Sequence, residues 1–304
     1  MTDTANPDPQ SPVPPTIGAA LRHASARLRD LDLQSADLEA GLLLGQVTGL
    51  DRLGLLTRTG TELTGAQWEA FQDLLGRRAG RVPLQYLTGS QEFMSLPFAV
   101  SPAVLIPRPE TEHLVEAILD LEESAGAPDQ IEMGRLAADV GTGSGAIAVS
   151  LASYVTTLRV VATDISAEAL AVAGENARRH DVAGRVEFRL GAGLAPLDDL
   201  AGRLDYLISN PPYIPSGEIA SLDPEVRDFE PLAALDGGPD GLTLVRELAG
   251  KGASLLKPGG HLAVEVMAGQ AEAVQGLLAG GPWDDVRAVP DYGGHLRVVV
   301  ARRS

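Results

Sequence analysis

Two short stretches carry residue types whose spacing could do chemistry. The first is Asp139-Val140-Gly141-Thr142-Gly143-Ser144-Gly145-Ala146, which ends an apolar run and opens the helical pattern Ile147–Leu151. Glycines here permit a tight turn and let backbone approach a ligand at the positive N-terminus of a helix. A second apolar run, Val160-Val161-Ala162-Thr163, ends in Asp164. That acid lies about 20 residues beyond the glycines, the spacing at which a carboxylate reaches ribose hydroxyls. The second stretch is Asn210-Pro211-Pro212-Tyr213-Ile214-Pro215, directly after the strand-like Tyr206-Leu207-Ile208-Ser209. It combines a side-chain amide acceptor, a backbone stiffened by prolines and stripped of competing donors, and a flat ring able to stack.

The glycine loop alone admits three readings: a structural turn without ligand, a dinucleotide site on Gly141-x-Gly143-x-x-Ala146, or a site for S-adenosylmethionine. Asp139 weighs toward the last, because a carboxylate there can accept hydrogen bonds from a cationic amino group but repels a pyrophosphate. Asn210 and the Pro211 carbonyl answer a specific difficulty. An amide nitrogen is a poor nucleophile, since its lone pair is delocalised into the carbonyl. Two acceptors that take both N–H groups can aim that lone pair at a methyl carbon. A sulfonium is already activated, so positioning is the main task, and for well-oriented reactants that reaches about 7–11 kcal/mol. A strong general base is not required. The plain alternative for Asn210–Tyr213 is a proline-stiffened turn.

These loops need elements to hold them. Candidate strands are Leu136–Val140, Val160–Thr163, Val186–Leu190, Tyr206–Ser209, His261–Val266, Val286–Val289 and Leu296–Ala301. Their alternation with helical stretches predicts a mainly parallel sheet with helices on both faces. The fourth strand then lies beside the first, so both loops share the rim at the strands' carboxyl ends. The last two strands leave no room for a helix and predict an antiparallel hairpin at the sheet's edge. Upstream, Leu21, Leu28, Leu31, Leu38, Leu42, Leu43 and Leu44 show helical spacing, and Thr64 can cap a helix carrying Trp68, Phe71, Leu74 and Leu75. The resulting division is a Pro-rich disordered extension (1–15), an N-terminal helical domain (16–82), a β-hairpin linker (83–107) and an α/β domain (108–304). The helical domain is read as a recognition module for a macromolecular partner, or else as a stability appendage.

A formal net charge of -17 opposes binding to a bare phosphate backbone, though a local basic patch could still steer one. Arginine supplies nearly all the positive charge, Lys251 and Lys257 being the only lysines. With no cysteine there is no disulfide framework, thiolate zinc site or Cys nucleophile. His23, His113, His180, His261 and His295 show no metal-ligand spacing, and no metal is expected. The N-terminus has no secretory pattern and no apolar run reaches about 20 residues, so a cytoplasmic protein without membrane contact is the expectation.

The chain resembles the HemK/PrmC family of peptide chain release factor glutamine N5-methyltransferases over nearly everything after residue 16. The two loops alone are shared with adenine-N6 and other amino-group methyltransferases. The narrowing signals are Tyr86-Leu87-Thr88-Gly89 with Glu92-Phe93, Leu105-Ile106-Pro107-Arg108-Pro109-Glu110-Thr111-Glu112, and Phe229-Glu230-Pro231 through Gly237-Gly238 to Asp240-Gly241-Leu242. The resemblance implies a class I, Rossmann-like, seven-stranded methyltransferase domain behind a helical substrate-recognition domain. Its substrate would be the glutamine of the Gly-Gly-Gln motif in class 1 release factors, with S-adenosylmethionine as donor and no direct nucleic-acid partner. By the same resemblance Gly141, Thr142, Gly143, Ser144, Gly145 and Asp164, with Asp139 and Asn210, match cofactor positions. Asn210, Pro211, Pro212 and Tyr213 match the catalytic, substrate-amide loop. Arg108, Glu110 and Thr111 match the segment over the site, although Arg108 could instead be a structural ion-pair partner. One departure is Gly191-Ala192-Gly193-Leu194, where Gly193 stands in place of an aromatic near the adenine and offers backbone only. Two other functions compete. One is a nucleic-acid adenine-N6 or guanine amino-group methyltransferase; the other is a non-catalytic S-adenosylmethionine-binding factor.

Overall fold

The computed structural model describes residues 14–31, 33, 35–125 and 134–304. The chain divides after Thr88 into two compact units. The first is helical: α1 (Ile17–Arg29), α2 (Ala36–Thr48), α3 (Arg52–Thr57), α4 (Gly65–Ala79) and α5 (Leu84–Thr88). Its helices begin where side chains satisfy free amides. Thr16 accepts from Ala19, Asp51 from Gly54, and Thr64 forms a reciprocal capping box with Gln67. Along α2 the buried stripe is Ala36, Ala40, Leu43 and Leu44, the spacing that one helical face allows. Leu38 and Leu42, read from sequence as part of the apolar pattern, lie off that stripe and are exposed. In this unit's core, Arg78 donates to Glu39 through Nε (2.6 Å) and Nη2 (3.2 Å).

The segment read as a hairpin linker, 83–107, is not uniform. Residues 84–88 form α5, which ends at Gly89 in the left-handed region (φ 71°). Only β1 (Ser90–Phe93) and β2 (Leu96–Ala99) pair as a hairpin, and it belongs with the second unit. The extension read over 1–15 falls mostly outside the described residues; Pro15 accepts a hydrogen bond from the Leu63 amide.

The second unit continues with α6 (Pro109–Ala125), β3 (Leu136–Val140), α7 (Ala146–Tyr154), β4 (Arg159–Asp164), α8 (Ala167–Arg179), β5 (Val186–Leu190) and β6 (Leu204–Ser209). Then come α9 (Pro224–Arg227), α10 (Leu232–Leu235), α11 (Thr243–Lys251), β7 (Leu256–Glu265), α12 (Ala271–Leu278), β8 (Trp283–Pro290) and β9 (Leu296–Arg303). They build a seven-stranded sheet in the order β5-β4-β3-β6-β7-β9-β8. β5 to β7 are parallel; β9 runs antiparallel to β7, and β8 antiparallel to β9 at the edge. Both faces are buried, as a parallel sheet requires. Tyr206 and Ile208 of β6 join the core under α6 and α7, while Leu207 between them joins the core under α11 and α12. β6 beside β3 brings the two motif-bearing strand ends together. Among the described residues, no helix is long and apolar enough to cross a membrane.

Candidate active site

At the end of β3 the chain folds back through Gly141 (φ 76°) and Gly143 (φ 55°). The Gly141 and Thr142 amides donate to the Thr163 carbonyl of β4. A Cβ added at Gly141 or Gly143 would enter open space, so the turn presents bare backbone. Gly145 differs. A Cβ there would stand 3.0 Å from the Ala173 Cβ of α8, so this glycine serves close helix packing. Asp164 caps the loop from the next strand, accepting from the Gly143 amide and the Ser166 amide, each at 2.9 Å. Ser144 is buried, and its carbonyl accepts from Asn176.

Asp139, read from sequence as the partner of a cationic amino group, is fully buried beneath the turn. It accepts from the Thr142 hydroxyl at 2.6 Å, while its Oδ1 has no partner among the described residues. Burial pushes its carboxyl up to about 7; the Thr142 hydroxyl opposes that and the nearby Asp164 charge adds to it. Its contact on the page is with the Thr142 hydroxyl, through which it anchors the turn.

The second loop leaves β6 at Asn210. Asn210 Nδ2 donates to Thr111 Oγ1 at 3.1 Å. The backbone beyond is braced by segment 230–242: the Ile214 amide donates to the Leu235 carbonyl, and the Gly237 amide to the Ile214 carbonyl. Gln270 Nε2 donates to the Tyr213 carbonyl at 3.0 Å. The approach is close enough to demand glycine. A Cβ at Gly237 would stand 2.5 Å from the Pro212 carbonyl oxygen, and one at Gly241 would stand 2.1 Å from that of Tyr213. Arg108 forms an ion pair with the buried Glu230, tying segment 105–108 to the same brace, so its ion-pair reading is realised. The Tyr213 phenol is pushed up to about 12, first by burial and then by the Glu265 charge.

A cavity of about 290 Å³ joins these parts. Gly141 to Ser144, Asp164 and Gly193 line it on one side; Asn210, Pro212, Arg108 and Thr111 line it on the other. Asp139, Gly145, Glu110, Pro211 and Tyr213 lie outside its lining. At Gly193 (φ 53°) the side-chain space is already taken, since a Cβ would meet Glu247 Oε2 of α11 at 2.3 Å. Ile165, two-thirds exposed and lining the cavity, offers the apolar surface that Gly193 cannot. Sequence reasoning missed Ile165. It also missed Glu265, a carboxyl 2% exposed at the end of β7. The available signal was an acid inside the apolar run Leu262-Ala263-Val264-Glu265-Val266.

Residues 19–89 match the PrmC N-terminal domain, and residues 127–221 match the methyltransferase small domain. A release factor glutamine methyltransferase of Moorella thermoacetica is 48% identical over 289 residues, covering 95% of this chain and 99% of that protein. One from Geobacter sulfurreducens is 41% identical, covering 94% and 96%. Among solved structures, a methyltransferase from Pyrococcus furiosus overlays with a TM-score of 0.51 at 17% identity, over 75% of this chain and 98% of its own. The hMettl16 catalytic domain, solved with the MAT2A 3'UTR hairpin 6, reaches 0.54 at 15% identity, over 75% and 81%. The last two are likenesses of fold.

Proposed function

The chain belongs to the family of release factor glutamine methyltransferases, and within it we propose transfer of a methyl group from S-adenosylmethionine to the side-chain amide nitrogen of the Gly-Gly-Gln glutamine of class 1 release factors. The observation that carries this reading is that Asn210 and Pro212 border the same cavity as the glycine turn and Asp164.

The cavity suits this donor better than a dinucleotide. Its lining holds the acid Asp164 and one cation, Arg108, which is already paired with Glu230. Such a field favours a cationic ligand over a pyrophosphate. When bound, the donor supplies a methyl carbon on a positively charged sulfur. The open backbone of Gly141 and Gly143 would lie along it, Asp164 would accept from its ribose hydroxyls, and Ile165 would pack on the adenine. Asn210 Oδ1 and the Pro211 carbonyl would accept the two N–H groups of the target amide and so orient its lone pair. The chemistry the donor would supply is methyl transfer to that nitrogen, with the C–S bonding electrons left on sulfur as a neutral thioether and the nitrogen's proton released to water. Tyr213 would stack against the flat amide, and Arg108, Glu110 and Thr111 would border the entrance. The helical unit would recognise the release factor.

The test is to incubate the protein with labelled S-adenosylmethionine and a class 1 release factor, beside a copy whose Gly-Gly-Gln glutamine is alanine. Label on the intact factor alone supports the reading. No label on either, with cofactor binding confirmed, moves the substrate to nucleic acid. Label on both keeps the methyltransferase and changes the target residue.

A further inference from the structure

Glu265 is buried at the rim, and the chemistry above does not use it. β7 pairs in parallel with β6, with Ser209 opposite Val264, so Glu265 lies beside Asn210 at the sheet's carboxyl end. The Thr111 hydroxyl faces its carboxyl and favours the ionised form, while Oε2 has no partner among the described residues. Thr111 Oγ1 in turn accepts from Asn210 Nδ2. A hydroxyl has one proton to give, and an ionised carboxylate can only accept. With Glu265 ionised, the chain therefore has one sense: Asn210 Nδ2–H to Thr111 oxygen, Thr111 O–H to Glu265. That sense commits the Asn210 nitrogen and leaves its Oδ1 for the cavity.

We infer that Glu265 is a positioning residue which, acting through Thr111, fixes the orientation of the Asn210 amide so that its oxygen meets the target nitrogen's N–H. This rests on the proposed use of Asn210 as an acceptor. A protonated Glu265 can donate to Thr111, which then turns its own proton toward Asn210. The favoured Asn210 orientation then presents a donor where an acceptor is needed.

The surroundings keep Glu265 close to that change. Burial pushes its carboxyl up to about 7, and Glu110 adds to the rise. Arg297 of β9 and Arg108 oppose it, but Arg297 is paired with Asp291 at 3.0 Å and Arg108 with Glu230. Tyr213 also faces this end of the sheet, and its raised phenol stays neutral across the range concerned.

The experiment measures kcat and KM at saturating S-adenosylmethionine from pH 5.5 to 8.5, with the intact release factor as substrate. Wild type, Glu265→Gln, Thr111→Val and Thr111→Ser are compared, with cofactor affinity measured by calorimetry. Outer partners of oriented groups typically act at the roughly 10–100-fold level. Glu265→Gln and Thr111→Val should lose kcat on that scale with cofactor affinity held. In wild type, kcat should rise through an acid limb near pH 7, and in Glu265→Gln that limb should flatten. Thr111→Ser, which keeps the hydroxyl, should regain most of what Thr111→Val loses. A wild-type kcat and limb in Glu265→Gln overturns the inference while leaving the proposed function intact. So does a loss in Thr111→Ser equal to that in Thr111→Val. An unlabelled release factor with wild-type protein overturns the proposed function itself.

Discussion

In the helical unit, the buried Glu39 carboxylate meets the Arg78 guanidinium through two hydrogen bonds, and Arg78 also donates to the Val82 carbonyl at 3.2 Å. In the sheet unit, Glu265 is more deeply buried and has one oxygen without a partner. The contrast extends beyond this pair. Among the described residues, the buried side-chain atoms lacking a partner belong to Glu122, Asp139, Ser150, Thr163 and Glu265, all in the sheet unit. Asp139, Thr163 and Glu265 sit at the carboxyl ends of β3, β4 and β7. A buried polar atom left unmade costs about 1–3 kcal/mol. The sheet unit carries that cost at the rim where ligands bind in such folds, and the helical unit pairs its deepest charge.

Breaking the satisfied side should cost the most stability. Glu39→Ala removes the carboxylate that faces the buried Arg78 charge, leaving its bond to the Val82 carbonyl, and is expected to destabilise the protein by about 3 kcal/mol in urea unfolding. A loss below 1 kcal/mol would show that the pair is not a buried anchor. Breaking the rim should spare the fold and cost rate. Asn210→Ala is expected to slow methylation about 10²–10³-fold with near-normal cofactor binding by calorimetry. Equal loss of binding and rate would mean the loop has collapsed.

The sharpest comparison is the sign of a substitution at Glu265. A carboxyl raised from 4.5 to about 7 by folding contributes stability that is whole below 4.5 and lost as pH rises through 7. Glu265→Gln should therefore be more stable than wild type at pH 8, by on the order of 1–3 kcal/mol, and lose that advantage at pH 4. Denaturation midpoints at the two pH values decide it; equal shifts at both would remove ionisation as the cause. Smallest is a surface cap. Thr64→Ala opens the capping box of α4 and should cost about 1 kcal/mol by thermal melting, with methylation unchanged.

The sheet was legible because its strands are short apolar runs between turns, and β3 and β5 agree with the sequence reading residue for residue. Strand β7 begins five residues earlier than expected, at Leu256, because Lys257-Pro258-Gly259-Gly260 resembles a turn in sequence yet lies within the strand. The glycine turn and the Asn210 loop were legible because unusual backbone needs unusual residues. What could not be read was which glycine touches a cavity and which spares a neighbour. Gly141 and Gly145 share a motif and a positive φ, and only the packing of α8 against Gly145 separates them. Asp139 was legible as an acid but not as one sealed beneath the turn. Glu265 was hidden because Thr111, which faces it, lies far away in the sequence, and proximity across such a distance leaves no local pattern.

Asn176 of α8, fully buried, accepts from the Ala99 amide at 2.7 Å and donates to the Ala99 carbonyl and to the Ser144 carbonyl. One side chain thus splices the edge of the hairpin to the glycine turn. Neither can open without exposing the same amide to solvent, so the two should exchange their backbone hydrogens as a single cooperative unit. The hairpin at Ala99 and the glycine turn at Ser144, far apart along the chain, are then expected to open together.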